Sequence, residues 1–279
     1  MKVPSIWAVL VLATLLSISA PVNANNGNDE FNWNVTIELG YIYNPTLIVG
    51  GEQSSFDDYT SVNVWLDLYY KGFFIQSNRY RTSGTFGATE LGYELHLDED
   101  FELNIINKNY LAGFDQRNVG LVVDTYIEEL EGIKARNFVP SQGIRYIRYL
   151  DESVYWVDVA VDLVAGRHRG WVVDTFYTKT TEYRNVDLSF GAGLTVFSAD
   201  MTNYYFGVDQ DEARVNRPFY EPGVGYRAEL EAVMRYPLSQ DWLFTAGATL
   251  SHYSNSISDS SLVARNNVFR FKLSVSYVF

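Results

Sequence analysis

Hydrophobic residues occupy every second position over several stretches of this chain, and polar residues fill the positions between them. In the last stretch, 269–279, aromatic and aliphatic residues alternate with Arg270, Lys272, Ser274 and Ser276. A period of two places the two sets of side chains on opposite faces of a β-strand. Because the same alternation recurs along the chain after residue 30, the sequence predicts an all-β protein.

The alternating stretches predict twelve strands. They cover residues 31–43, 60–70, 73–81, 89–97, 101–110, 139–150, 154–164, 171–178, 184–198, 224–236, 242–253 and 268–279. The alternating parts of these segments are roughly 9–11 residues long, the length of a tilted strand that crosses a bilayer. Segment 111–137 leaves an alternative open, since a further hairpin there would give fourteen strands. Residues 127–136 have helical composition instead and predict a helix within a loop.

The aromatic residues indicate that these strands cross a membrane. Tyr, Phe and Trp flank the short connections 71–72, 151–153 and 237–241, and Tyr and Trp rings favour the headgroup level of a bilayer. The other connections are longer and more polar, which is the asymmetry of outer-membrane barrels. We therefore predict an antiparallel transmembrane β-barrel. Its even strand number places both termini on the periplasmic side.

The two ends of the chain indicate how the protein is exported and assembled. The N-terminus predicts a signal peptide that is cleaved near Ala24. It has a basic residue, Lys2, then the apolar run 6–18, and small residues at the first and third positions of 22–24. The apolar run is shorter than the ~20 residues of a membrane-spanning helix. We expect a signal peptide over 1–24 and a barrel domain over 25–279, located in the outer membrane of a Gram-negative bacterium. Tyr277 and Phe279 resemble the terminal signal that the barrel-assembly machinery recognises.

Composition and charge exclude several classes of protein. The net charge is -13, which argues against nucleic acid as a partner. The absence of cysteine excludes a disulfide scaffold and a thiolate metal site. No catalytic or calcium-binding motif is present, so we expect no cofactor, no metal ion and no enzymatic activity. His168 lies between carboxylates in a loop and leaves a surface hydrolase as one alternative. The expected surroundings are membrane lipid and lipopolysaccharide.

A set of charged residues is predicted to point into the barrel lumen. These residues are Glu38, Arg227, Glu229, Glu231, Arg235, Arg270 and Lys272. The last strand must close against the first, so we expect cross-strand ion pairs between its cations and the carboxylates around them. Twelve strands lie between small barrels filled by side chains and open porins, which predicts a small or plugged pore. The acidic lining would favour cations if the barrel conducts.

Specific motifs resemble one family of outer-membrane proteins. The first motif lies in a loop and consists of Tyr205-Phe206-Gly207-Val208 and Glu212. The second consists of Asp162, Gly166, His168 and Gly170. The third is Asp259-Ser260, which is followed by Ser261 where the family has proline. The turn 236–242 and the final residues 277–279 agree as well. In these positions the chain resembles the MipA/OmpV family, the MltA-interacting proteins. The resemblance is strongest after about residue 160.

The resemblance implies an outer-membrane scaffold between a murein lytic transglycosylase and a penicillin-binding protein. Other members are described as osmolarity-responsive proteins or adhesins. The residues themselves leave a second class of function open, a small cation-preferring or solute channel.

Overall fold

The computed structural model describes residues 31–51, 59–77, 89–119, 126–163 and 170–279. The predicted signal peptide lies outside these ranges. None of the helices in the described ranges has the length and apolar character needed to cross a bilayer.

Twelve antiparallel strands form a closed barrel. They are β1 (Asn32–Tyr43), β2 (Thr60–Tyr70), β3 (Phe73–Ser77), β4 (Thr89–Leu97), β5 (Phe101–Lys108), β6 (Ser141–Leu150), β7 (Ser153–Val161), β8 (Trp171–Tyr183), β9 (Val186–Phe197), β10 (Gly225–Pro237), β11 (Trp242–Tyr253) and β12 (Asn267–Val278). Each strand pairs with its neighbours in the sequence, and β12 pairs with β1. At the seam, β1 and β12 are aligned over eight residue pairs, one of which is Leu39 opposite Val275.

The structure confirms the twelve predicted strands and shows that the fourteen-strand alternative is wrong. β5 pairs directly with β6, with Lys108 opposite Ser141, so no further hairpin enters the barrel wall between them. The part of 111–137 that the structure describes contains a 3₁₀ turn, Glu128–Leu130, and isolated bridges. The clearest boundary difference is in β8, which continues to Tyr183 because Thr180–Tyr183 pairs with the start of β9.

Alternation along the strands separates a polar interior from an apolar exterior. On β1 the side chain of Glu38 is buried, whereas the neighbouring Leu39 is 64% exposed on the outside. On β7 Asp158 is fully buried and Val159 is 53% exposed. Such an arrangement suits a barrel whose outer face contacts lipid, because apolar side chains face the hydrocarbon and charged ones avoid it.

The two ends of the barrel differ in the length of their connections. At the turn end, short connections join the strands, as at Lys71-Gly72, where both residues have positive φ. The first and last strands begin and end here, since Asn32 pairs with Tyr69 and Trp242 with Tyr277. Aromatic rings meet edge to face at this level: the centroids of Trp242 and Tyr277 are 5.2 Å apart. That this end faces the periplasm stays a prediction.

The described parts of the longer connections meet at the opposite end, the loop end. Those that matter below are L1 (44–59), L3 (109–140), L5 (198–224) and L6 (254–266). L5 contains helix α1 (Ala199–Phe206) and L6 contains the short helix α2 (Asn255–Ser258). α1 begins at Ser198, whose side-chain oxygen accepts a hydrogen bond from the N–H of Met201 at 3.2 Å, the usual N-cap arrangement.

Candidate functional site

A ring of charged and hydroxyl side chains lines the inner wall of the barrel. We call this ring the polar belt. It comprises Glu38, Glu90, Lys108, Arg145, Asp158, Asp174, Thr195, Arg227, Glu229, Ser251, Arg270 and Lys272. Its members lie on most of the twelve strands, so the belt follows the circumference instead of forming a local cluster.

Arg145 on β6 is the most highly connected residue of the belt. Its Nε donates to Asp158 Oδ1 at 2.6 Å, and its Nη2 donates to Asp158 Oδ2 at 2.9 Å. Its Nη1 and Nη2 also donate to the two carboxylate oxygens of Glu90. All three side chains are almost completely buried. The planar guanidinium therefore bridges two carboxylates from different strands, a geometry that lysine does not reproduce.

The belt continues from this bridge across β8 and β9. Lys108 Nζ lies 2.6 Å from Asp158 Oδ2 and 3.3 Å from Asp174 Oδ2. Thr195 donates its hydroxyl to Asp174 at 2.7 Å and accepts a hydrogen bond from Arg227 Nη2 at 3.0 Å. Each buried carboxylate thus has a cation or a hydroxyl donor beside it, as buried charges require.

The last strands complete the belt with two groups of contacts. Glu229 accepts from Ser251 Oγ at 2.9 Å and lies 3.8 Å from Arg227 Nε. Arg270 donates to the same serine hydroxyl at 3.3 Å. At the seam, Lys272 Nζ lies 2.6 Å from Glu38 Oε2.

Glu38 is also held by neutral donors. Asn63 on β2 and Ser274 on β12 donate to its two oxygens at 2.9 and 3.0 Å. The seam between the first and last strands is therefore a polar junction inside the barrel.

The remaining predicted lumen residues also point inward. Glu231 is buried and accepts from Thr249 Oγ1 at 3.5 Å. Arg235 is half-buried and lies opposite Asp187 of β9 in the register.

The lining of the belt is thus not a ring of carboxylates alone. Lys108, Arg145, Arg227, Arg270 and Lys272 alternate with the acidic side chains. Neutralised pairs of this kind weaken the electrostatic preference for one sign of ion.

An apolar cluster of described residues lies at the loop end above the belt. We call this cluster the loop cap. Its members from the loops are Ile48, Phe114, Val119, Ile127, Leu130, Ile133, Met201, Tyr205, Phe206, Val208, Ile257, Leu262 and Val263. They pack against inward-facing residues at the strand ends, which are Ala160, Val172, Phe197, Tyr253 and Val268. Because these wall residues point into the barrel, the loops fill its mouth instead of standing away from it.

Backbone bridges and side-chain hydrogen bonds join the loops of the cap to one another. Ile48 of L1 pairs with Val263 of L6 in an antiparallel bridge. Ser260 of L6 donates its hydroxyl to the carbonyl of Phe206 at 2.6 Å. Tyr205 of α1 donates its hydroxyl to the carbonyl of Asn137 in L3 at 3.2 Å. L1, L3, L5 and L6 therefore form one packed unit.

The structure places most of the family-motif residues in this cap. Tyr205, Phe206 and Val208 are in its buried core, and Gly207 ends helix α1. Asp259 ends helix α2 through a hydrogen bond to the carbonyl of Asn255 at 2.9 Å. Ser260 and Glu212 are also buried there. The motif residues that the sequence places far apart thus share one structural task, which is to shape the loops that fill the mouth.

The remaining motif residues lie elsewhere or outside the described residues. Asp162 is buried just after β7, and its N–H donates to the carbonyl of Gly170 at 2.9 Å. Gly166 and His168 fall in a segment that the structure does not describe. At the turn end, the rings of Tyr277 and Phe279 are 4.6 Å apart. The N–H of Phe279 donates to the carbonyl of Val35 at 3.0 Å.

The sequence reasoning missed the centre of the belt. Arg145 was not predicted to point inward, nor were Glu90, Lys108 and Asp174 assigned to the lumen. A signal was present: a two-residue turn after Leu150 fixes the register so that Arg145 lies opposite Asp158. Because Arg145 and Asp158 both point inward at that register and carry opposite charges, the sequence predicts that they form an ion pair.

The site offers hydrogen bonds and compensated charge, and no arrangement for a metal ion stands out. Within the described ranges there is no group of three or more His, Asp or Glu side chains placed to hold one. The side chains of the belt are polar, and most of them are buried against one another. The cap is suited to exclude water, small ions and polar solutes.

Comparisons with solved structures return barrels of the outer membrane. A loop-deletion mutant of OmpT from Vibrio cholerae aligns with a TM-score of 0.39 and 8% identity over 90% of this chain and 99% of that one. The NanC porin aligns with a TM-score of 0.41 and 9% identity over 87% of this chain and 98% of that one.

Sequence comparisons find relatives that are named as outer membrane proteins. The chain is 27% identical over 116 residues to Omp26La of Vibrio anguillarum and to OmpV of Vibrio cholerae. Each alignment spans 42% of this chain and 45% of the relative, so less than half of these relatives is matched. A 24 kDa outer membrane protein of Pasteurella multocida is 23% identical over 236 residues, which cover 77% of this chain and 80% of that protein.

A family model settles the classification. The model described as MltA-interacting protein MipA matches residues 37–279, which include every strand of the barrel except the start of β1. Together with the closed barrel and the relatives, the match places the protein in the outer membrane of a Gram-negative bacterium. The chain belongs to the MipA family.

Proposed function

We propose that this protein is a non-enzymatic scaffold that links the outer membrane to murein-processing enzymes. The observation that carries the proposal is the loop cap, which fills the mouth of the barrel with apolar side chains. A barrel closed in this way is poorly suited to general diffusion and leaves its turn end as the surface for partners. The description of the family as MltA-interacting supports a murein lytic transglycosylase as one partner. We propose a penicillin-binding protein as a second partner.

Site-specific crosslinking in intact cells tests the scaffold. A photoreactive amino acid in place of Glu99, which is exposed in the turn between β4 and β5, should capture a periplasmic murein-processing enzyme. The matched control places the same amino acid at Val215, which is fully exposed in L5 at the loop end. We expect a transglycosylase adduct from the turn position only. The proposal is wrong if several turn positions give no such adduct, or if position 215 gives the same one.

A second candidate function is a small cation-preferring or solute channel. The polar belt supports a small channel, because polar side chains line the barrel beneath the cap, but its paired charges do not favour one sign of ion. Planar-bilayer recordings of the refolded protein separate the two candidates. Stable unitary conductance of the unmodified protein at neutral pH would favour the channel, and silence would favour the scaffold.

A further inference from the structure

Two loops of the cap meet at a buried ion pair. Arg136 of L3 and Glu212 of L5 have side-chain exposures of 7% and 1%, and Arg136 Nη2 lies 2.7 Å from Glu212 Oε2. The backbone N–H groups of Lys134 and Asp209 donate to the same carboxylate at 2.8 and 3.1 Å. Arg136 also donates to the carbonyl of Gly207 at 3.2 Å. The carboxylate therefore joins donors from both loops in a single buried network.

A second arginine extends this connection toward the centre of the cap. Arg217 of L5 donates to the carbonyls of Glu129 and Glu131 at 2.8 and 2.9 Å. It also donates to the carbonyl of Glu212 at 2.9 Å. The 3₁₀ turn that it holds contains Leu130, which is completely buried in the cap. We call Arg136, Glu212 and Arg217 the clasp.

The cap that the clasp holds is in direct contact with the polar belt. Tyr110, at the start of L3, belongs to the apolar cluster, and its hydroxyl donates to Asp158 Oδ2 at 3.0 Å. The ammonium of Lys108 lies 4.4 Å from the centre of the same ring. Movement of L3 away from L5 would therefore uncover the belt from above.

We propose that the clasp is a releasable latch, and that its release opens a path for small inorganic ions along the polar belt. While the ion pair between Arg136 and Glu212 is intact, L3 and L5 hold the apolar cap in place and keep water out of the barrel mouth. A buried charge that loses its partner must be hydrated or exposed. Water that enters between the two loops would separate them, and an apolar constriction that becomes wet begins to conduct.

Acidic solution is expected to release the same latch in the unmodified protein. The titratable groups that face Glu212 are Arg136 and Lys134 from L3, and Asp209 and Arg217 from its own loop. Burial raises the pKa of Glu212, but the hydrogen bonds from Arg136 and from the N–H groups of Lys134 and Asp209 outweigh it and hold the pKa below its usual value. A carboxyl with a lowered pKa stabilises the folded cap at neutral pH. This contribution is lost as pH falls through that lowered pKa.

Single-channel recording of matched variants tests the latch. Unmodified protein in a planar bilayer with potassium chloride should be nearly silent at neutral pH. Arg136→Ala and Glu212→Ala should each raise the open probability by on the order of 100-fold, because each leaves the other charge buried without its partner. Different migration of unheated and boiled samples in detergent gels would show that each variant barrel is folded.

Lys134→Ala is the matched control. Lys134 Nζ joins the same two loops through Asp209 at 3.0 Å and Asp211 at 2.9 Å, but this network is largely exposed. Exposed pairs contribute little, so this variant should behave like the unmodified protein. The exposed pair also lowers the pKa of Asp211. Retention of the acid response in Lys134→Ala would therefore exclude this exposed network as the source of the response.

Three results would overturn the latch. Folded clasp variants could remain as silent as the unmodified protein, or Lys134→Ala could open as often as they do. The unmodified protein could also conduct at neutral pH with the same unitary conductance as the clasp variants, which would mean that the cap does not close the barrel. If the clasp variants do not fold, acidification of the loop side of the unmodified protein tests the latch instead. The proposal is then contradicted if acidification leaves the open probability unchanged. Conduction by the unmodified protein at neutral pH would also count against the scaffold, whereas the other results leave the crosslinking test of the scaffold unaffected.

Discussion

The loop cap and the polar belt lie next to each other in one barrel, yet they are held by different forces. The cap is stabilised by apolar burial, which is non-directional and roughly proportional to area. The belt is stabilised by charge pairing, in which the net gain of each pair is small and the loss of one partner is severe. The cap should therefore respond to substitution in a graded way, whereas the belt should respond according to whether each charge keeps its partner.

The largest expected effect is in the belt. Arg145→Ala leaves the buried carboxylates of Glu90 and Asp158 without their shared guanidinium, and it should lower the free energy of unfolding by about 3–5 kcal/mol. Urea unfolding of the barrel in lipid vesicles measures the change. Arg148→Ala on the same strand is the control, because Arg148 Nη2 lies 3.6 Å from the exposed Asp100. That exposed pair contributes only about 0–1 kcal/mol. Equal losses for both variants would contradict the contrast between buried and exposed pairs.

An effect of similar or smaller size is expected in the cap. Leu130→Ala removes a completely buried side chain and should destabilise the cap by about 2–5 kcal/mol, according to how far the cavity collapses. Hydrogen exchange should increase in L3 and L5 while the strands stay protected. Val215→Ala is the control, since its side chain is fully exposed. Faster exchange throughout the strands would show instead that cap and wall unfold as one unit.

The smallest expected effect concerns the wall itself. A Cβ atom at Gly191 would lie 2.4 Å from Cζ of Phe176, whose ring covers this glycine. Gly191→Ala should therefore displace the ring and lower the free energy of unfolding by about 1–3 kcal/mol. Gly223→Ala is the control, because nothing lies within 4 Å of the added atom. If the two variants are equally stable in urea unfolding, the packing of Phe176 over Gly191 does not constrain the wall.

The fold could be predicted from the sequence because lipid imposes a simple rule on every strand. Apolar residues must alternate with polar ones wherever one face meets hydrocarbon and the other the lumen. That rule is local, so the first and last residues of β2, β4 and β11 could be predicted from the sequence. β8 was predicted too short because Lys179–Tyr183 is polar and extends beyond the alternating stretch.

The site was less predictable because its contacts join residues that are distant in the sequence. The inward position of Glu38 and Lys272 follows from alternation, and the seam brings them together. The clasp does not follow from any local pattern. Arg136 and Glu212 lie in irregular loops and are 76 residues apart, so only the packing of the cap brings them into contact. The motif residues Tyr205 to Val208 indicated an important loop but not that it folds into the barrel mouth.

The polar junction at the seam has a consequence for the order of assembly. Glu38 and Ser274 are 236 residues apart, so their contact forms only when the last strand meets the first. A slip of one residue between these strands would turn a whole set of side chains to the wrong face. A slip of two residues that placed Glu38 opposite Val278 instead of Ser276 would keep the faces but move Glu38 away from Lys272 and Ser274. The junction thus disfavours that misregistered closure, and it can act only once the first and last strands have met.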